Sequence, residues 1–130
     1  MEFFRKITLK TTEQHIQKSL TLRNLSEIST EIFNLNEPND QAANIGGIWG
    51  EFTLIRSEIR GGIRFALLEC PNALCWTITA GFPPDAESVI IHLTINQQER
   101  NQDFVEEIEE FLEDMSECLT RFFKSLTSYK

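Results

Sequence analysis

Two periodicities that follow one another along the chain predict an α+β fold. Between Gly61 and Asn96, apolar and polar residues alternate at period two through short runs separated by turn residues. From Asn101 to about Leu126 the apolar residues recur every three or four positions instead. A length of 130 residues, 41 % of them hydrophobic and 25 % charged, suits one globular domain spanning 1–130. The expected architecture is an antiparallel meander of about four strands, with a long C-terminal amphipathic helix and an N-terminal helix or helices on one face.

Taken in chain order, the first third carries the weakest signals. Thr11 with Gln14 has the spacing of a capping box that opens a helix through His15, Ile16 and Leu20. Asn24 with Glu27 repeats it ahead of Ile28, Ile32 and Phe33, while Ser19 to Leu22 is also compatible with a strand. From Asn34 to Gly47, Asn36-Glu37-Pro38-Asn39-Asp40 and Gly46-Gly47 predict a polar loop with little regular structure. A strand follows from about Trp49 to Ile59. Phe52 and Leu54 are in phase there and Ile55 and Ile59 are not, which implies a bulge or a change of face.

Three further strands place Ile63, Phe65 and Leu67, then Leu74, Trp76 and Ile78, then Val89, Ile91, Leu93 and Ile95 on a core face. Arg60-Gly61-Gly62, Cys70-Pro71-Asn72-Ala73 and Gly81-Phe82-Pro83-Pro84-Asp85 supply the turns. In the last helix, Phe104, Ile108, Phe111, Met115, Leu119, Phe122 and Leu126 form the apolar stripe. Acids crowd its first turns, and Arg121 and Lys124 lie near its end, in accord with the helix dipole.

The net charge of −8 opposes binding to phosphate backbones and favours a basic protein partner. That charge is unevenly placed: residues 1–100 carry 12 acids against 9 bases, and the last 30 carry 8 against 3. At about 100° per residue, Glu106, Glu110, Glu113 and Glu117 share one stripe of the helix, with Asp103, Glu107 and Asp114 beside it and Glu109 on the opposite flank. This arc is either a docking face for a cationic surface or a solvated face that maintains solubility. Like charges at i,i+4 repel by a few tenths of a kcal/mol per pair, and no base on the stripe offsets them. Trp49 and Phe82 are the aromatic residues suited to anchoring a contact near it.

The outward face of the meander, Arg64, Ala66, Leu68, Cys75, Thr77, Thr79, Ile90, His92 and Thr94, is too apolar for ordinary solvated sheet. Either the N-terminal segment covers it, or it meets a partner or a second copy in a homodimer.

Catalytic signals are weak. Cys70 and Cys75 flank a turn, but only His15, His92 and Cys118 remain to complete a zinc site, so no metal is expected. His92 lies mid-strand near Cys75 and Thr77, which leaves an enzyme built on a Cys75–His92 contact as the competing class, but a lone strand histidine is usually a packing or surface residue. Gly46-Gly47 and Gly61-Gly62 lack the spacing and the lysine of a phosphate-binding loop, and no cofactor is expected. A non-enzymatic binder is the expectation. Three sparse cysteines fit a reducing compartment, no apolar run reaches about 18 residues, and Met1-Glu2-Phe3-Phe4-Arg5-Lys6 lacks the order of a signal peptide, so a cytoplasmic location is expected.

Ile48-Trp49-Gly50-Glu51, Gly61 through Leu67, and Cys70-Pro71-Asn72-Ala73-Leu74-Cys75-Trp76-Thr77 together resemble small bacterial immunity proteins of contact-dependent growth-inhibition and related toxin systems. That resemblance covers about half the chain. It implies a cytosolic protein that binds the toxic domain of a cognate nuclease or other effector and blocks its active site or substrate surface. In size, acidity and α+β character the chain is also similar to type III secretion chaperones, which implies a homodimer wrapping an extended effector segment. Those chaperones interrupt their strands with a central helix, whereas the strands here are expected to run consecutively.

Overall fold

The computed structural model describes residues 1–81, 87–96 and 102–127. Its frame is one antiparallel sheet of seven strands: β1 (Glu2–Thr8), β2 (Ile32–Asn34), β3 (Ala42–Gly47), β4 (Gly50–Ile59), β5 (Gly62–Leu68), β6 (Cys75–Ala80) and β7 (Ser88–Thr94). The spatial order is β1-β7-β6-β5-β4-β3-β2, so β2 to β7 form a meander and β1 returns to lie beside β7. The helices are α1 (Glu13–Ser19), α2 (Leu25–Ile28) and α3 (Gln102–Thr127), with a 3-10 turn at Leu22–Asn24.

The α+β class, the meander and the C-terminal helix agree with the sequence reading; the strand count does not. Among the described residues seven strands replace the expected four or so, and the three additional ones all lie in the first 47 residues. Ala42–Gly47, expected to be loop, is held as a strand because β4 lies alongside it, pairing Ala42 with Ile55 and Gly47 with Gly50. The second N-terminal helix stops at Ile28 rather than running through Phe33, because Ile32–Asn34 pairs with Ile45–Gly47. Thr12, not Thr11, caps α1 by accepting a hydrogen bond from the His15 N–H.

No bulge occurs in β4, whose register with β5 is unbroken from Thr53–Leu68 to Ile59–Gly62. Its phase conflict has a different origin. Ile55 lies on the outward face, and Arg56 takes a core-face position where its Nε donates to the Leu20 carbonyl at 2.8 Å and Nη2 donates to the Gln17 carbonyl. The guanidinium thereby satisfies carbonyls at the C-terminal end of α1, where a cation is also favoured by the helix dipole. Gln17 returns the link, donating from Nε2 to the carbonyls of Ile59 and Gly62, each at 3.1 Å. At this junction β5 pairs tightly with β6, Gly62 lying opposite Thr79. A Cβ on Gly62 would lie 2.0 Å from the Ile78 carbonyl oxygen.

One core fills the space between the sheet and α3. Phe65, Trp76, Leu93 and Ile91 from the sheet meet Ile108, Phe111, Leu112, Met115, Leu119 and Phe123, all buried. The Trp76 ring stands edge-on to Phe111 at 5.2 Å and tilted on Phe65 at 5.2 Å. Each such side chain gives about 1.5–3 kcal/mol on leaving water, which makes α3 the main clamp on the sheet. Phe123 is buried while Phe122 and Leu126 are only half-buried, so the apolar stripe drifts around the helix in its last turns.

Candidate functional site

The acids of α3 divide into two groups. Asp103, Glu106, Glu110, Glu113 and Glu117 are exposed, whereas Glu107, Glu109 and Asp114 are partly buried and spent on contacts within the chain. Glu107 accepts a hydrogen bond from Trp49 Nε1 at 2.8 Å. Glu109 forms an ion pair with Arg5 of β1, and Glu113 lies 3.9 Å from the same guanidinium. Asp114 accepts from Ser29 Oγ at 2.8 Å, from the Thr30 N–H at 2.9 Å and from Thr30 Oγ1 at 2.5 Å, fastening the α2–β2 connection to α3. Among the exposed acids, Glu106 accepts from Gln102 at 3.3 Å within its own helix. The face open to a partner is therefore narrower than the full acidic arc.

Trp49 stands in the tight β3–β4 turn, close to the start of α3. Its ring lies edge-on to Phe104 at 6.0 Å and to Phe111 at 5.2 Å. Beside it opens an apolar cleft of about 260 Å³, lined by Trp49, Phe52, Leu67, Cys70, Leu74 and Phe104 among others. The sequence pointed to Trp49 here but not to Phe104 or Phe52; the signal that would have joined them is the position of Phe104 as the first apolar residue of the helical stripe. Phe82 lies outside the described residues.

Among the described residues, no helix lies on the outward face of the sheet. The N-terminal segment does not cover it but extends it by one strand, β1. Phe4, 57 % exposed, stacks flat on His92 with ring centroids 4.3 Å apart, and His92 Nε2 meets Glu2 Oε1 at 3.0 Å. Cys75 Sγ lies 3.1 Å from Thr94 Oγ1. Cys70 instead packs at the edge of the core, so the two thiols flanking the turn do not share a face. Among the described residues no cluster of three or more His, Cys, Asp or Glu side chains could hold a metal ion.

The Cys118 thiol, 5 % exposed, is pushed above its ordinary range, chiefly by burial and next by the negative charge of Asp114. No helix among the described residues is long and apolar enough to cross a membrane.

No known family matches the chain, and no curated protein matches it. Among solved structures, it is similar to a START superfamily protein from Mycobacterium smegmatis, with a TM-score of 0.59, 14 % identity and 97 % of each chain covered. At that identity the likeness concerns the fold: an antiparallel sheet closed against a long C-terminal helix, the START-like helix-grip arrangement.

Proposed function

We propose that this protein is a stoichiometric binding module that neutralises a basic partner, a toxin domain in the immunity-protein reading, by laying the exposed acids of α3 over its cationic surface. One observation carries the reading: Asp103, Glu106, Glu110 and Glu117, together with Glu113 whose carboxylate also meets Arg5 at 3.9 Å, remain exposed on one helix after Glu107, Glu109 and Asp114 have been committed to internal contacts. Exposed like charges on a rigid helix repel one another and add nothing to the core, but they raise the association rate with an oppositely charged surface. The α3 backbone is held by the core, so a partner would meet these carboxylates largely preorganised. Contrary to the expectation of consecutive strands, α1 and α2 stand between β1 and β2, so the contrast with the secretion-chaperone pattern is lost.

The test uses the product of the gene adjacent to this one in its source genome, expressed with and without the protein, and then the purified pair. Wild type should protect cells from that product, and Glu106→Lys/Glu110→Lys/Glu113→Lys should slow association by about tenfold or more at low salt. Unchanged affinity in the triple variant would reject α3 as the docking face. A neighbouring product that is harmless, or that does not bind, would reject the immunity reading.

The apolar cleft supports a second reading, a site for a small uncharged ligand. Titration of a neutral aromatic probe against Trp49 fluorescence separates the two. Saturable quenching in wild type that disappears in Phe104→Ala supports the cleft, and a linear response rejects it.

A further inference from the structure

We propose that the free edge of β1 is a homodimer interface, in which two copies pair antiparallel about a two-fold axis at Phe4 and continue the sheet from one chain into the next.

The hydrogen-bond phase of β1 shows which groups face that edge. The Met1 ammonium donates to the Ile95 carbonyl and Met1 accepts from the Ile95 N–H, each at 3.0 Å. Leu9 donates to the Glu87 carbonyl at 3.1 Å. Odd-numbered residues thus direct their backbone groups toward β7, and in an antiparallel ladder the even-numbered ones, Glu2, Phe4, Lys6 and Thr8, direct theirs the other way. Among the described residues no strand lies on that side, since β1 ends the sheet order, and the Phe4 carbonyl there keeps a second lone pair while accepting from Arg5 Nη1 at 3.0 Å. Strand edges of this kind template pairing with another chain.

The side chains select the register. Glu2, Phe4 and Lys6 alternate on the outward face and are all exposed. An antiparallel pair centred on Phe4 sets Phe4 opposite its own copy and Glu2 opposite Lys6 on both sides of the axis. Every opposed pair in that register comes from the even-numbered set, so its backbone groups face the partner strand as a ladder requires. The register two residues in either direction loses the Phe4 pair and sets Glu2 against Phe4 or Lys6 against Phe4. Aromatic pairs and opposite charges directly across a ladder both stabilise it. Because Phe4 already stacks on His92, the contact would build a continuous row of rings, His92 and Phe4 from each copy, across the joined sheets. With one identical patch serving both chains, the interface closes on itself and stops at two.

Sedimentation equilibrium of the full chain over a concentration series tests this. Wild type should move from one to two chain masses as concentration rises. Lys6→Glu sets like charges together at both ends of the ladder and should weaken association about tenfold or more. The double variant Glu2→Lys/Lys6→Glu restores opposite charges only in the Phe4-centred register and should recover most of that loss. Phe4→Pro deletes an N–H that points away from β7, so it should keep the helical circular dichroism while abolishing the dimer. A single chain mass for wild type up to about 1 mM would overturn the proposal. So would a dimer that Lys6→Glu leaves unchanged, or one that the double variant fails to restore.

Discussion

Replacing Asp114 with alanine should destabilise the protein by about 2–3 kcal/mol while leaving the exposed face of α3 intact. Its carboxylate takes three hydrogen bonds from the α2–β2 connection, from Ser29 Oγ, the Thr30 N–H and Thr30 Oγ1, and a longer one from Cys118 Sγ at 3.8 Å. These donors differ in what they lose. Thr30 is exposed, so water replaces the carboxylate there at small cost. Ser29 is 1 % exposed, and its hydroxyl would lose an ionised acceptor inside the fold. Bonds to charged groups contribute roughly 1.5–3 kcal/mol and water-replaceable ones much less, so the estimate rests mainly on Ser29. In a chain of this size the loss corresponds to a drop in Tm of roughly 6–12 °C. Urea titration followed by tryptophan fluorescence measures it, with Glu110→Ala as the control on the same helix. Glu110 is exposed, so its removal should change stability by no more than about 0.5 kcal/mol. Equal effects in the two variants, or a loss below about 0.5 kcal/mol for Asp114→Ala, would refute the division of the helix acids into structural and free.

Three other substitutions probe separate parts of the argument. Gly62→Ala drives a methyl group to 2.0 Å from the Ile78 carbonyl, so the β5–β6 ladder must open; a loss of roughly 3–5 kcal/mol is expected by urea titration, and a soluble, wild-type-like variant would contradict the packing. The Cys118 thiol is held neutral in the fold above the pH at which it ionises in the unfolded chain. Its contribution to stability is therefore complete below about pH 8.5 and lost as pH rises toward the elevated folded value. Tm measured against pH should fall more steeply in wild type than in Cys118→Ala through that alkaline window, and parallel curves would count against it. Trp49→Phe keeps an aromatic ring against Phe111 but removes the donor to Glu107, which should cost about 1 kcal/mol in the same urea assay.

The legibility of the chain followed how local each signal was. Ile63, Phe65 and Leu67 alternate cleanly, and Gly61-Gly62 and Cys70-Pro71-Asn72-Ala73 mark the reversals on either side of them, so β5 could be read from its own residues. In β1, the adjacent Phe3 and Phe4 and the inward Arg5 hide the period of two; Arg5 is tolerated on the helix side because Glu109 meets it. Ala42 to Gly47 has little strand propensity of its own and is ordered by its neighbours on both sides. The same limit applied to the candidate site. Helical spacing placed the acids on one arc, but it could not show that Trp49, Ser29, Thr30 and Arg5 would arrive from distant segments to occupy Glu107, Asp114 and Glu109.

From its own residues the chain determined the α+β class, the core face of the central hairpins, the C-terminal helix and the concentration of negative charge upon it, because each arises from spacing within one element. Tertiary structure decided the number of strands, the return of β1 beside β7, the helix-grip closure and which acids stay exposed. Those outcomes depend on pairings between residues as far apart in sequence as Glu2 and Thr94, where the stabilising contact does not exist until the rest of the sheet has formed.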